Sequence, residues 1–201
     1  MKNKIIIYLL GCILFSLGAT SFIFSNLGTD PLDVFCLGIQ NHLDIKIGTI
    51  QSLFAITCLV LYSALNKWEF PPITTFMTFF ICGYLIDFFR FILKELSYNI
   101  NEFTLMMIGT LLCVQGSAFI IMSKIGIRAM DLLALSLEEK TKRPFWLYKG
   151  IAEVLLLLVG LFLGGPVGVG TVAFLVVVGW FIQPTIVINR KLYKKYFEKV
   201  A

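Results

Sequence analysis

Asp33 and Asp131 each stand near the start of a short, strongly apolar segment, Pro31-Leu32-Asp33-Val34-Phe35-Cys36-Leu37 and Ala129-Met130-Asp131-Leu132-Leu133-Ala134. A carboxyl in such a setting suits two tasks. It can bind a cation, a proton or a polar group of a solute, or it can serve its own helix start by facing the positive end of the dipole. The residues before Asp33 read as a helix start: Gly28 supplies a turn, Thr29 or Asp30 caps, and Pro31 takes the first helical position. Gly126 is the matching glycine ahead of Asp131.

Other polar side chains lie within apolar runs. Asp87 and Arg90 are three apart, and Lys149 and Glu153 four apart. Both spacings favour an ion pair on one helix face, with a gate or ion relay as the alternative. Gln115, beside Gly116, is placed to line a cavity or bond a neighbouring helix, and Gln183 falls opposite Asp87 in the alignment below. The expected substrate- or ion-binding set is therefore Asp33, Asp131, Asp30, Gly28, Gly126, Asp87, Gln115 and Gln183.

Catalytic chemistry finds less support. The chain has one histidine, His42, and neither HExxH nor a Ser/His arrangement falls in an apolar segment, so the protein reads as no enzyme, with no cofactor. A His-based metal cluster is excluded. Cys12, Cys36, Cys58, Cys82 and Cys113 lie in apolar stretches without CxxC spacing and read as small packing residues. The Gly164-Gly165-Pro166-Val167-Gly168-Val169-Gly170 run has no Walker lysine and reads as a turn.

The elements that must position these residues are membrane helices. Of 201 residues 58% are hydrophobic and 14% charged, with a mean hydropathy of +0.89. A soluble domain carries about 25% charge, so a soluble globule is excluded. Six segments are long enough to span a bilayer: Ile5 to Phe24, Thr49 to Leu65, Ile73 to Ile92, Phe103 to Met122, Leu147 to Leu163 and Thr171 to Ile188. Ile5 to Phe24 reads as an uncleaved span, since the apolar run continues past Cys12. Residues 31–43 and 129–139 are too short to span and too apolar for a surface helix, so they read as re-entrant or broken half-helices. Phe145, Trp146 and Tyr148 fit an interfacial aromatic belt.

Charge sets the orientation. With the N-terminus in the cytoplasm, only Lys46, Arg90 and Lys94 fall outside, and the other 14 of the 17 basic residues, including Lys124, Arg128 and the tail from Arg190 to Lys199, fall inside. The net charge of +5 thus reads as a positive-inside signal and not as a nucleic-acid footprint.

A shift of 98 residues aligns Gly11, Leu14, Gly18, Ile23, Ser25, Gly28, Asp33 and Leu37 with identical residues, and a shift of 96 aligns Thr75 with Thr171 and Gly83 with Gly179. Two units follow, residues 1–97 and 98–201, the second ending in the basic cytoplasmic tail. Each holds three spans and one half-helix, and an odd number of spans inverts the second unit. The expected fold is an all-α polytopic membrane protein with six transmembrane helices in a 3+3 inverted repeat. Gly11, Gly18, Gly109 and Gly116 recur every seven residues and would let two helices approach closely.

The run Leu27-Gly28-Thr29-Asp30-Pro31-Leu32-Asp33-Val34, with Ile47-Gly48-Thr49 and later Gly83 and Asp87, resembles the YczE/YyaS/YitT group of bacterial integral membrane proteins. The resemblance covers nearly the whole chain, which is similar to the short YczE-like branch that lacks a soluble C-terminal domain; Leu32 departs from the aromatic residue usual in relatives. It implies a bacterial plasma-membrane protein of unestablished biochemistry, and it carries over no catalytic residues. The functional expectation is a secondary transporter or exporter of a small solute. The alternatives are a channel, the substrate-binding subunit of an energy-coupling factor transporter, or a non-transporting assembly or regulatory partner. Expected partners are the lipid bilayer and an unidentified small molecule or ion, with a homo-oligomer compatible and no nucleic acid.

Overall fold

In the computed structural model, residues 2–69, 71, 73–95 and 100–197 are described; the boundary between the two expected units, at residues 97 and 98, and Lys199 of the tail lie outside them. The helices are α1 (Lys2–Ser25), α2 (Pro31–Gln40), α3 (Ile47–Leu65), α4 (Thr74–Glu95), α5 (Glu102–Ser123), α6 (Ala129–Thr141), α7 (Phe145–Phe162), α8 (Val169–Ala173) and α9 (Gly179–Phe197), with a π-helical turn, Phe174–Val178, joining α8 to α9. Among the described residues, six helical segments are long and apolar enough to cross a membrane, and the last runs from Val169 through the π turn to Tyr193. Helix α2 ends three residues short of the expected 43, where Asn41 closes it, and α6 runs two residues past the expected 139.

Helices α1 and α5 form the centre. They run antiparallel, because Gly11 lies against Gly116 and Gly18 against Gly109. The approach is backbone to backbone. A Cβ built on Gly18 would sit 2.7 Å from the Cys113 nitrogen, and one on Gly11 would sit 2.9 Å from the Gly116 carbonyl oxygen. Tyr8, Cys12, Phe15, Phe22, Cys82, Met106, Cys113 and Phe174 fill the space around this pair. All five cysteines are buried as free thiols.

Several local features recur 98 residues apart. Ser25 Oγ donates to the Phe22 carbonyl at 2.7 Å and Ser123 Oγ to the Ile120 carbonyl at 2.6 Å. The Leu27 and Ile125 N–H groups then donate to those same hydroxyls. Asn26 and Lys124 both take positive φ, at 54° and 56°.

The short helices pack across the molecule, α2 on α7 and α6 on α3. Gly38 lets α2 touch the α7 backbone at Gly160. At its end, Asn41 Nδ2 donates to the Gly164 carbonyl oxygen at 2.8 Å and to that of Leu163, satisfying acceptors that a helix C-terminus leaves free. On the other side, Asn66 Nδ2 donates to Ser136 Oγ at 2.7 Å, joining the end of α3 to α6. Packing also differs between the halves. Helix α3 lies along α4, whereas α7 makes no comparable contact with α8 or α9.

Large apolar side chains cover the periphery, Phe91, Leu111, Phe162 and Trp180 among them, each more than 60% exposed. Such a continuous apolar exterior belongs in lipid.

Candidate functional site

Gly28 turns the chain between α1 and α2 with φ +101°, which a side chain tolerates poorly. It also packs where a Cβ would meet Gly168 and Thr171, while the Gly170 N–H donates to the Leu27 carbonyl at 2.6 Å. Gly126 plays a similar part on the other side, where a Cβ would strike Thr78 Oγ1 and the Tyr8 ring.

Asp30 caps α2: its Oδ1 accepts the Asp33 N–H at 2.7 Å. The capping role therefore belongs to Asp30, and the Asp33 side chain is free for another partner. Asp33 is fully buried, and its Oδ1 accepts from Gln51 Nε2, one turn into α3, at 2.9 Å. Its Oδ2 is buried with no hydrogen-bond partner among the described residues, as is Thr29 Oγ1. None of the ion pairs among the described residues reaches Asp30 or Asp33. Burial raises both carboxyls above the ordinary range; the neighbouring Asp30 raises Asp33 further, while the Asp33 N–H bond and the more distant Arg128 and Lys149 partly offset burial at Asp30.

Asp131 has the opposite surroundings. It accepts from Arg128 Nε at 2.9 Å and from Lys149 Nζ at 3.1 Å, and Lys149 also bridges to Glu153 at 3.1 Å. Burial works against its charge, yet Arg128 and Lys149 together outweigh burial and hold the carboxyl below its usual range. Two carboxyls at equivalent sequence positions thus carry different chemistry: Asp33, beside Asp30, has no ion-pair partner among the described residues, and Asp131 sits in a linear chain of four charges, Arg128–Asp131–Lys149–Glu153.

One cavity of about 530 Å³ connects the two sites. Asp30, Pro31 and Gln51 line it from one side and Arg128, Met130, Asp131 and Glu153 from the other, with apolar walls from Phe15, Phe79, Leu156 and Phe174. Exposed Lys124, Ile127 and Arg190 also line it and mark its opening, while Asp30, Gln51 and Cys82 are buried. Phe174 belongs to the π turn, a feature that recurs at functional sites.

The remaining expected residues lie elsewhere. Asp87 accepts the Ile47 N–H at 3.1 Å and the Gly48 N–H at 2.8 Å, so it caps α3 from α4. Arg90 donates to Gln40 Oε1 at 2.9 Å, and the Asp87–Arg90 ion pair expected from spacing is not formed. The capping of α3 requires Asp87 to face that helix, which leaves Arg90 to secure the end of α2. Gln115 lines a second cavity with Leu10, Phe119 and Tyr193, and Gln183 is exposed on α9. Gln51 and the Arg128–Asp131 pair were missed in sequence. The i,i+3 spacing of Arg128 and Asp131 was an available signal, whereas nothing local marks Gln51.

Six membrane-length apolar helices, a lipid-type exterior and two short helices packed inside define a helical membrane protein. The chain belongs to a family of unknown function, DUF6198, whose profile matches residues 2–186. It is similar to the uncharacterised protein YyaS of Bacillus subtilis strain 168, at 27% identity over 171 residues, covering 84% of this chain and 85% of the relative. It is also similar to the uncharacterised membrane protein YczE of the same organism, at 26% identity over 189 residues, covering 91% and 87%. No solved structure matches.

Proposed function

We propose that this protein is a secondary transporter of a small solute, acting in a bacterial plasma membrane with both termini in the cytoplasm. Its two units of three spans would form an inverted repeat around a central binding site. The observation that carries this reading is the single cavity lined by the first-turn residues of both short helices. Discontinuous helices meeting at a site between repeats are how several inverted-repeat carriers hold their substrates. The hydrogen bonds and glycine contacts that recur 98 residues apart support the repeat.

The difference in packing supports a carrier over a static scaffold. Helix α3 is closed on α4 by the Asp87 cap, while α7 stands away from α9 and the cavity opens beside Lys124 and Arg190. On the positive-inside orientation, this is the inward-open state. Exchanging the roles of the units gives an outward-open state in which α7 closes on α9 and α3 leaves α4. A cysteine placed at Ser117, which lines the cavity, in a Cys82→Ala background tests this. It should react with a membrane-impermeant thiol reagent from both faces of oriented vesicles. Reaction from neither face would contradict a transport site.

A further inference from the structure

Most charges around the cavity are paired or exposed to solvent. Arg128, Asp131, Lys149 and Glu153 bond to one another, two cations with two anions, and leave no net charge. Lys124 and Arg190 are exposed at the opening, where solvent screens them. Asp30 remains: a 6% exposed carboxyl that lines the cavity with no cation bonded to it, backed by Asp33 with its partnerless Oδ2. Phe15, Phe79 and Phe174 supply aromatic walls, and ring faces attract cations.

We infer that the cavity binds an organic cation with an apolar body and takes it in exchange for a proton held by the Asp30–Asp33 pair. This deepens the transporter reading and rests on it for the translocation step. In the empty cavity two adjoining buried carboxyls without a counter-ion retain a proton. When an ammonium-type solute enters, the carboxyl O–H bond breaks, the proton passes to water at the cavity opening, and the carboxylate pairs with the cation. No covalent bond forms to the solute. The charged groups acting on this pair from other elements are Arg128 ahead of α6, Lys149 and Glu153 on α7, and Asp87 and Arg90 on α4; the pair in turn acts on the Cys36 thiol of α2 itself and the Cys113 thiol of α5.

The test uses the purified full chain in detergent, with tetraphenylphosphonium as the probe and its isosteric anion tetraphenylborate as the control. Saturable binding of the cation is expected, with release of about one proton per cation and an affinity that falls by up to about tenfold per unit drop in pH. Asp30→Asn should weaken binding at least about tenfold and abolish proton release, a loss of the charge and not of the fold, because asparagine is an equally good helix cap. Equal binding of the anion, binding without proton release in the wild type, or unchanged binding by Asp30→Asn would each overturn the inference. So would absence of cation binding, and the Ser117 labelling from both faces would then show that transport stands while the solute class falls.

Discussion

Asp87 accepts the Gly48 N–H at 2.8 Å across 39 residues of chain, so a carboxylate of α4 caps the start of α3. Lys46 at the cap position of α3 provides no side-chain bond, which makes Asp87 the source of that cap. Asp87→Ala should therefore destabilise the protein by about 1–3 kcal/mol, the range for losing a cap and its charge-assisted bonds. Asp87→Asn, which keeps one acceptor, should cost less. Thermal unfolding in detergent reads the difference.

The glycine contacts between α1 and α5 give a second expectation. Gly18→Val would push into the Cys113 nitrogen and the Gly109 carbonyl and should reduce the folded yield in size-exclusion chromatography. Gly150→Ala on α7 meets nothing within 4 Å and should be neutral or stabilising by up to about 1 kcal/mol through helix propensity.

Lys149 joins Asp131 to Glu153. Lys149→Met should cost about 1–3 kcal/mol, because Asp131 keeps Arg128 alone and Glu153 loses its cation. Adding Glu153→Gln should recover part of that loss. A double-mutant cycle by thermal unfolding measures the coupling, and strict additivity would show that the bridge contributes nothing.

The Asp33 carboxyl is raised by burial, with Asp30 adding to the effect. An unfolded aspartate titrates at about 3.9. Above that value the folded state binds more protons than the unfolded state, so stability should fall as pH rises toward the folded-state value. Asp33→Asn should flatten the slope, and its Oδ1 can still accept from Gln51. Unfolding midpoints measured across a pH series check this.

Much of this architecture was legible in the sequence, because apolar length and glycine spacing are local. The six spans, the two short helices and the Gly28 turn follow from such signals. What stayed hidden depends on how helices face each other. Spacing paired Asp87 with Arg90, but α3 and α2 take those two side chains separately. Gln183, opposite Asp87 in the repeat, is turned outward beyond the π turn at Phe174–Val178. A π turn takes up one extra residue, which rotates the helix beyond it by about 100°. No glycine or proline inside Phe174–Val178 announces it.

Movement of one unit against the other is tested most directly by spin-label distances. One pair would be placed on the exposed faces of α3 and α4, at Leu53 and Phe88, and the other on α7 and α9, at Ile151 and Val187. Alternating access predicts two populations for each pair, anti-correlated as pH or tetraphenylphosphonium is varied, with α3–α4 separating when α7–α9 closes. A single unchanging distance in both pairs under every condition would contradict it.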